Sequence, residues 1–185
     1  VRFRTIPALD GAEAPGERSA EPAAARPVLE SCERAAVIVA PGPAALVQDG
    51  GRPGWAHVGV TRSGAADAAA CALANRLVGN PESAAAIETT FGGFSMRLTD
   101  SVCVAVTGAH APAAVNGHPA PHAAPLYLTA GDELTLGLPE QGLRSYVACS
   151  GGFAVPATLG SRATDTLSGL GPARLAAGDV LPIGP

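Results

Sequence analysis

The sequence predicts a mainly β protein, a barrel of short strands carrying one principal helix at about residues 65–78. Three observations carry that prediction. From Ala84 onward, short apolar runs are separated by turn residues at intervals of about 8–12, the spacing of a barrel or sandwich. Asn116-Gly117 is the dipeptide of a type I′ hairpin turn, in which both central residues take positive φ. One stretch alone has helical character: Leu73, Leu77 and the alanines between them form an apolar stripe, and Gly79-Asn80-Pro81 ends it. Ser63 or Asp67 stands ready to cap its start.

The elements follow in order. Val1 to Ile6 alternates apolar and basic residues with the period of a strand, and reads as the tail of an upstream domain. Residues 7–35 mix Ala, Pro, Glu and Arg with few bulky apolar side chains, the composition of a linker. The domain proper is expected over 36–185. Val37-Ile38-Val39 opens it, and a second short strand after Pro41-Gly42-Pro43 runs into Gln48. Further strands are expected at 85–89, 94–98, 102–106, 113–115, 126–128, 133–136, 143–148 and 180–183. Ala130-Gly131-Asp132-Glu133-Leu134 recurs as Ala177-Gly178-Asp179-Val180-Leu181, which reads as shared turn chemistry and not as a domain repeat.

Composition narrows the function. The chain has 185 residues, 47% of them hydrophobic, enough for one cored domain. Its net charge of -4, with no basic stripe, argues against nucleic acid. All twelve basic residues are arginines, so a Schiff-base lysine and a P-loop lysine are excluded. Cys32, Cys71, Cys103 and Cys149 are widely spaced, without C-x-x-C, and read as free thiols of a reducing compartment. His118 and His122 are four apart, but Pro119 and Pro121 forbid the helix that would align them, and no metal site is expected. No run reaches the roughly 18 apolar residues of a membrane span, and no signal peptide opens the chain. A cytoplasmic protein is the expectation.

The chain is organised around residues 47–67. Gly50, Gly51, Gly54, Gly59 and Gly64 are interleaved there with Gln48, Asp49, Arg52, His57, Ser63 and Asp67. So long a loop, interrupted by Trp55, Val58 and Val60, reads as a built site. Arg52 has the planar fork that grips a carboxylate or phosphate. Asp49 and Glu88 are candidates to orient that arginine or to serve as acid–base groups. Gln48 and Asn75 supply amides, and the glycines permit close backbone approach. Ser150-Gly151-Gly152 and Gly160-Ser161-Arg162 read either as tight turns or as amide cradles for an anion. In the alternative reading, Asp49 and Arg52 form a structural pair and Asp67 only caps the helix.

In sequence order these clusters resemble a known family. Pro41-Gly42, Val47-Gln48-Asp49, Gly51-Arg52 and Gly54 begin the match, and Gly59-Val60, Ser63-Gly64 and Asp67 continue it. Ala74-Asn75 and 77–80 follow, then Glu88, Gly92-Gly93, 107–109, Asn116-Gly117, Tyr146, Gly151-Gly152, 159–162 and Gly178-Asp179. The pattern is similar to the carboxyltransferase-like family that includes allophanate hydrolase subunit 2 homologues, the C component of 5-oxoprolinase and a sporulation kinase-inhibitor antagonist. It departs from that pattern at Pro172-Ala173.

The resemblance implies a cyclophilin-like β-barrel and residues 36–185 as the amino-terminal half of a subunit-2-type domain. It implies a component of an ATP-dependent 5-oxoprolinase, with ATP and Mg2+ in the complex. The implied partner is a subunit-1-type protein (the B component of 5-oxoprolinase), to which the 1–6 strand would be the fused end, with a lactamase-like third member. Asp49, Arg52 and Glu88 become catalytic candidates. Gln48, Gly51, Gly54, His57, Ser63, Gly64, Asp67, Asn75, Gly151, Gly152, Ser161 and Arg162 become binding candidates for substrate or nucleotide. The alternatives are a carboxyltransferase served by biotin on another domain, with urea or a related amide as acceptor, and a non-catalytic regulatory module.

Overall fold

A computed structural model describes residues 33–185, so the expectations for 1–6 and for most of 7–35 lie outside the described residues. The described residues are mainly β with a single α-helix, as the strand spacing predicts. In chain order the strands are β1 (Ala35–Pro41), β2 (Ala44–Gln48), β3 (Ala86–Thr90), β4 (Phe94–Leu98), β5 (Val102–Gly108) and β6 (Ala113–Val115). They continue as β7 (His118–Ala120), β8 (Pro125–Leu128), β9 (Glu133–Leu136), β10 (Arg144–Cys149) and β11 (Val180–Pro182). Helix α1 spans Ala68–Leu77, shorter at its start than expected because Asp67 is its N-cap, accepting from the Ala70 amide at 3.0 Å. Arg34 already bonds the Gly184 carbonyl at 2.6 Å, so ordered packing begins just before residue 36.

Two antiparallel sheets share one core. The six-stranded sheet runs β11-β1-β4-β9-β6-β7 and the five-stranded sheet β2-β3-β10-β5-β8. Strand alternation sorts the side chains. Val104 and Val106 of β5, Val147 of β10 and Ile87 of β3 face Ile38, Phe94, Met96 and Leu134 in the common core. Their neighbours Ala105, Ala148, Tyr146 and Ala86 face outward and pack under Cys71, Ala74 and Val78 of α1. The alanines there let the helix sit close to the sheet. This outer face of the five-stranded sheet, with α1 on it, carries Glu88 to the start of the helix.

One strand departs from the expectation. The Asn116-Gly117 turn forms, with φ of 51° and 80°, but its second arm is β7, whose Pro119 hides the strand pattern. Proline is tolerated because β7 is the sheet edge. His118 and His122 therefore lie on and beyond a strand, and His122 packs its ring 5.1 Å from His110. The repeated turn is the same device twice: Asp132 accepts from the Thr129 amide at 2.7 Å and Asp179 from the Ala176 amide at 2.8 Å.

The sheet edges are treated in two ways. The 164–175 segment runs along β2, with Thr164 N on the Val47 carbonyl and Leu175 N on that of Ala45. Phe153 bridges Ile183 and Ala154 N reaches Pro182 O beside β11. The other two edges, β7 and β8, contain Pro119 and Pro125.

Candidate functional site

The 49–65 loop is closed at its base by backbone pairing. Arg52 N bonds the Arg62 carbonyl at 2.7 Å and Ala65 N bonds that of Asp49 at 3.0 Å. Glycine is required at this crossing. A Cβ on Gly51 would lie 2.5 Å from the Arg62 oxygen, and one on Gly64 2.8 Å from the Gly51 nitrogen, both with positive φ. Above the crossing, 53–62 projects as a tip with one 3-10 turn, Ala56–Val58. Trp55 stacks on His57 there, and both are solvent-facing, as is Gly54, whose carbonyl accepts from His57 Nδ1 at 3.0 Å.

Below the crossing lies a buried polar cluster. Asp49 Oδ1 accepts from the Gly51 amide at 2.7 Å and from the Ser161 hydroxyl at 2.6 Å, while Oδ2 accepts from the Arg162 amide at 2.6 Å. Arg52 is 1% exposed. Its Nε donates to the Thr158 carbonyl at 3.3 Å, Nη1 to Ser63 Oγ at 3.2 Å and Nη2 to the Ala163 carbonyl at 2.5 Å. Among the described residues, the carboxylate within 4 Å of Arg52 is that of Asp165, at 3.9 Å. The structural pair of Arg52 is therefore with Asp165 rather than Asp49. Hydrogen bonds from Thr61 and from Ser168 and Leu167 hold the Asp165 carboxyl well below the usual carboxylate range. Gln48 is buried beside them, its Nε2 donating to the Thr164 carbonyl at 3.1 Å. Arg162 turns its own Nε to the Val155 carbonyl at 2.7 Å.

A second group lies where the loop meets α1. Tyr146 is fully buried; its hydroxyl donates to Glu88 Oε2 at 2.8 Å and accepts from the Asp67 amide at 2.7 Å. Glu88 Oε2 also accepts from the Ala66 amide at 2.8 Å. Burial and the neighbouring Glu88 push the Tyr146 phenol up, so it stays a neutral donor. Arg144 brings Nη1 to 3.5 Å from Glu88 Oε1 and also bonds Thr90 Oγ1. At the two ends of this chain of contacts, Asp67 and Arg144 line an open cleft of about 510 Å3 with His110, Gln141 and Leu143. A smaller cleft of about 240 Å3 opens on the loop's other flank, between Asp49, Arg62, Ser63 and Ala68.

The remaining candidates lie elsewhere. Asn75 is at the far end of α1, where Nδ2 donates to the Ala84 carbonyl at 2.8 Å and Oδ1 accepts from Asn80. Asn80 in turn accepts from the Gly151 amide at 2.8 Å, and Gly152 turns back on the Cys149 carbonyl. These residues fasten the helix exit to β10, about 15 Å of helix away from Asp67. Sequence reasoning did not select Asp165 or Arg144 for the site. Asp165 is the sole acid between Glu140 and Asp179, and Arg144 opens an otherwise uncharged strand; those were the available signals.

Fold and loop together define a carboxyltransferase-type β domain. Residues 58–185 match the family described as carboxyltransferase domain, subdomain A and B, and the chain belongs to it. It is 39% identical over 150 residues to the C component of Escherichia coli K12 5-oxoprolinase, covering 80% of this chain and 48% of that protein. It is 38% identical over 135 residues to urea amidolyase of Lachancea kluyveri, covering 72% of this chain and 7% of that much longer one. The crystal structure of K. lactis urea amidolyase superposes with a TM-score of 0.78 at 35% identity, over 80% of this chain and 9% of that one. The chain thus spans about half the length of the 5-oxoprolinase component it matches.

Proposed function

We propose that this chain is part of a 5-oxoprolinase-type amidohydrolase component that opens a lactam or amide at the expense of ATP, together with a subunit-1-type partner. The observation that carries this reading is the 39% identity to the C component of 5-oxoprolinase across 80% of the chain. Opening a lactam requires gripping an acidic amide and stabilising charge as it develops at the carbonyl. The loop junction offers a part-exposed arginine suited to that, Arg144, with the buried Glu88 carboxylate and Tyr146 hydroxyl holding it from behind in one chain of polar contacts. The Asp49–Arg52 cluster below it keeps the loop in one conformation, so that its exposed edge meets a partner preorganised.

The described residues do not fit a metal-bound triphosphate. No group of three or more His, Cys, Asp or Glu among them is placed to hold a metal ion, and the chain has no lysine. Arg52 is spent on carbonyls and Asp165, while Arg76 and Arg97 pair with Glu82 and Glu133. In this reading the partner holds the nucleotide and Arg144 of this chain is left for the substrate, so the site is composite. The similarity to urea amidolyases favours one second reading, a carboxyltransferase part served by biotin carried elsewhere.

The test is an assay of the full-length protein with its subunit-1-type partner. ATP hydrolysis dependent on 5-oxoproline is expected, and the isolated 185-residue chain is expected to give none. Turnover only with urea, bicarbonate and a biotin-carrying domain would replace this reading with the second.

A further inference from the structure

We propose that the cleft between the start of α1 and the adjoining ends of β5 and β10 binds a small carboxylate bearing an N–H donor, with Arg144 gripping the carboxylate and Asp67 accepting from the N–H. The proposal deepens the reading above and rests on it for the choice of ligand, 5-oxoproline or its ring-opened amino acid. The cleft, at about 510 Å3, has the size of a small-molecule site.

Its two charged walls are incompletely used. Arg144 commits Nη1 to Thr90 and to Glu88, and its side chain is 33% exposed. Among the described residues, its Nε and Nη2 have no partner, which leaves a forked donor set suited to a carboxylate. Glu88 holds that guanidinium from behind without blocking it, because its side chain is itself 4% exposed and spends Oε2 on Tyr146 and Ala66. Asp67, exposed at the helix start, also lines the cleft; it spends Oδ1 on the Ala70 amide, and Oδ2 has no hydrogen bond among the described residues. The backbone amide of Asp67 is tied to Tyr146, so this wall is fixed to the same Glu88 that fixes Arg144. A part-exposed donor fork and a solvent-facing carboxylate oxygen, anchored through Glu88 and through the Asp67 backbone to one buried network, suit a ligand with both an anionic and an N–H end. Gln141 and His110 also line the cleft and bring polar groups for the ligand's carbonyl. A simple anion would satisfy Arg144 alone, and a cation Asp67 alone.

The experiment is isothermal titration calorimetry on the full-length protein bound to its partner, with 5-oxoproline, glutamate, acetate and 2-pyrrolidinone as probes. Arg144→Lys keeps the charge beside Glu88 but loses the fork. Asp67→Asn keeps the helix cap but replaces the anionic acceptor. Each variant is expected to weaken 5-oxoproline or glutamate binding by about tenfold or more, with acetate and 2-pyrrolidinone each weaker than 5-oxoproline by at least as much. Unchanged binding in either variant, or no binding of 5-oxoproline and glutamate to the parent, overturns the assignment. Parallel turnover assays keep the two claims apart. ATP-dependent turnover with variant-insensitive binding sinks the cleft and leaves the function. Variant-sensitive binding without turnover leaves the cleft and sinks the function.

Discussion

Arg52 offers the sharpest test of how the loop is held. Substituting Arg52→Lys keeps the positive charge but replaces three directed nitrogens with one. The guanidinium now serves Thr158 O, Ser63 Oγ and Ala163 O, in a place where it is 1% exposed. Thr158 O keeps a second donor, the Ser161 amide at 3.2 Å, and Ser63 Oγ keeps Thr61 at 3.2 Å. An ammonium can follow one of the three acceptors. Two lost hydrogen bonds at about 1 kcal/mol each, and a poorly paired buried carbonyl at about 1 kcal/mol, come to about 3 kcal/mol. Urea denaturation of the full-length protein should show the midpoint falling by about 1.5 M for a slope of about 2 kcal/mol/M. Arg62→Lys, on the exposed side of the same loop, should stay within about 0.5 kcal/mol of the parent. If Arg52→Lys leaves the midpoint unmoved while turnover of the complex collapses, the guanidinium serves substrate and the structural argument is refuted.

Other expectations follow from the same contacts. Asp165 has a lowered pKa in the folded protein, so the stability it contributes is complete above the unfolded value of about 4 and is lost as pH falls below it; Asp165→Asn should flatten that acid limb in a pH series of melting temperatures. Cys71 is pushed up to about 12 by burial first and then by Glu88, so peptide-resolved iodoacetamide labelling at about pH 8 should be slow in the native protein and fast in urea. Tyr146→Phe removes a donor from Glu88 and an acceptor from the Asp67 amide, and should cost about 2–3 kcal/mol by denaturation. A near-neutral result there would mean that water replaces the hydroxyl. Gly64→Ala should cost about 2 kcal/mol or more, since its Cβ would press on the backbone of Asp49 and Gly51; a stable variant would show that the crossing can open.

The strands were legible because a pleated, half-buried ribbon writes its period into the sequence and its turns need particular residues. β7 escaped because a strand of three residues centred on a proline leaves no period to read. The helix was legible because Gly79 marks its end chemically, and of the two cap candidates, Ser63 and Asp67, the structure uses Asp67. Within the loop, the residues that matter for structure were legible but their partners were not. Spacing places Asp49 and Arg52 side by side, yet Asp49 meets Ser161 and Arg162, and Arg52 meets Thr158, Ala163 and Asp165, all more than a hundred positions away. Such pairings arise from the antiparallel return of the chain along β2, which local chemistry does not encode. Asn75, Gly151 and Gly152 share the polar, glycine-rich look of the loop but serve to lock the helix exit.

Among the described residues, each of the four sheet margins is either covered by a returning segment or interrupted by a proline. Two are sealed by the protein's own returning segments, and the other two carry Pro119 and Pro125 where a newcomer would look for amide donors. A neighbouring copy that approaches edge-on therefore finds only short or covered templates, which disfavours aggregation by ribbon growth. The same closure favours assembly through loops, clefts and sheet faces, where side-chain identity decides the match, over the indiscriminate pairing of backbone.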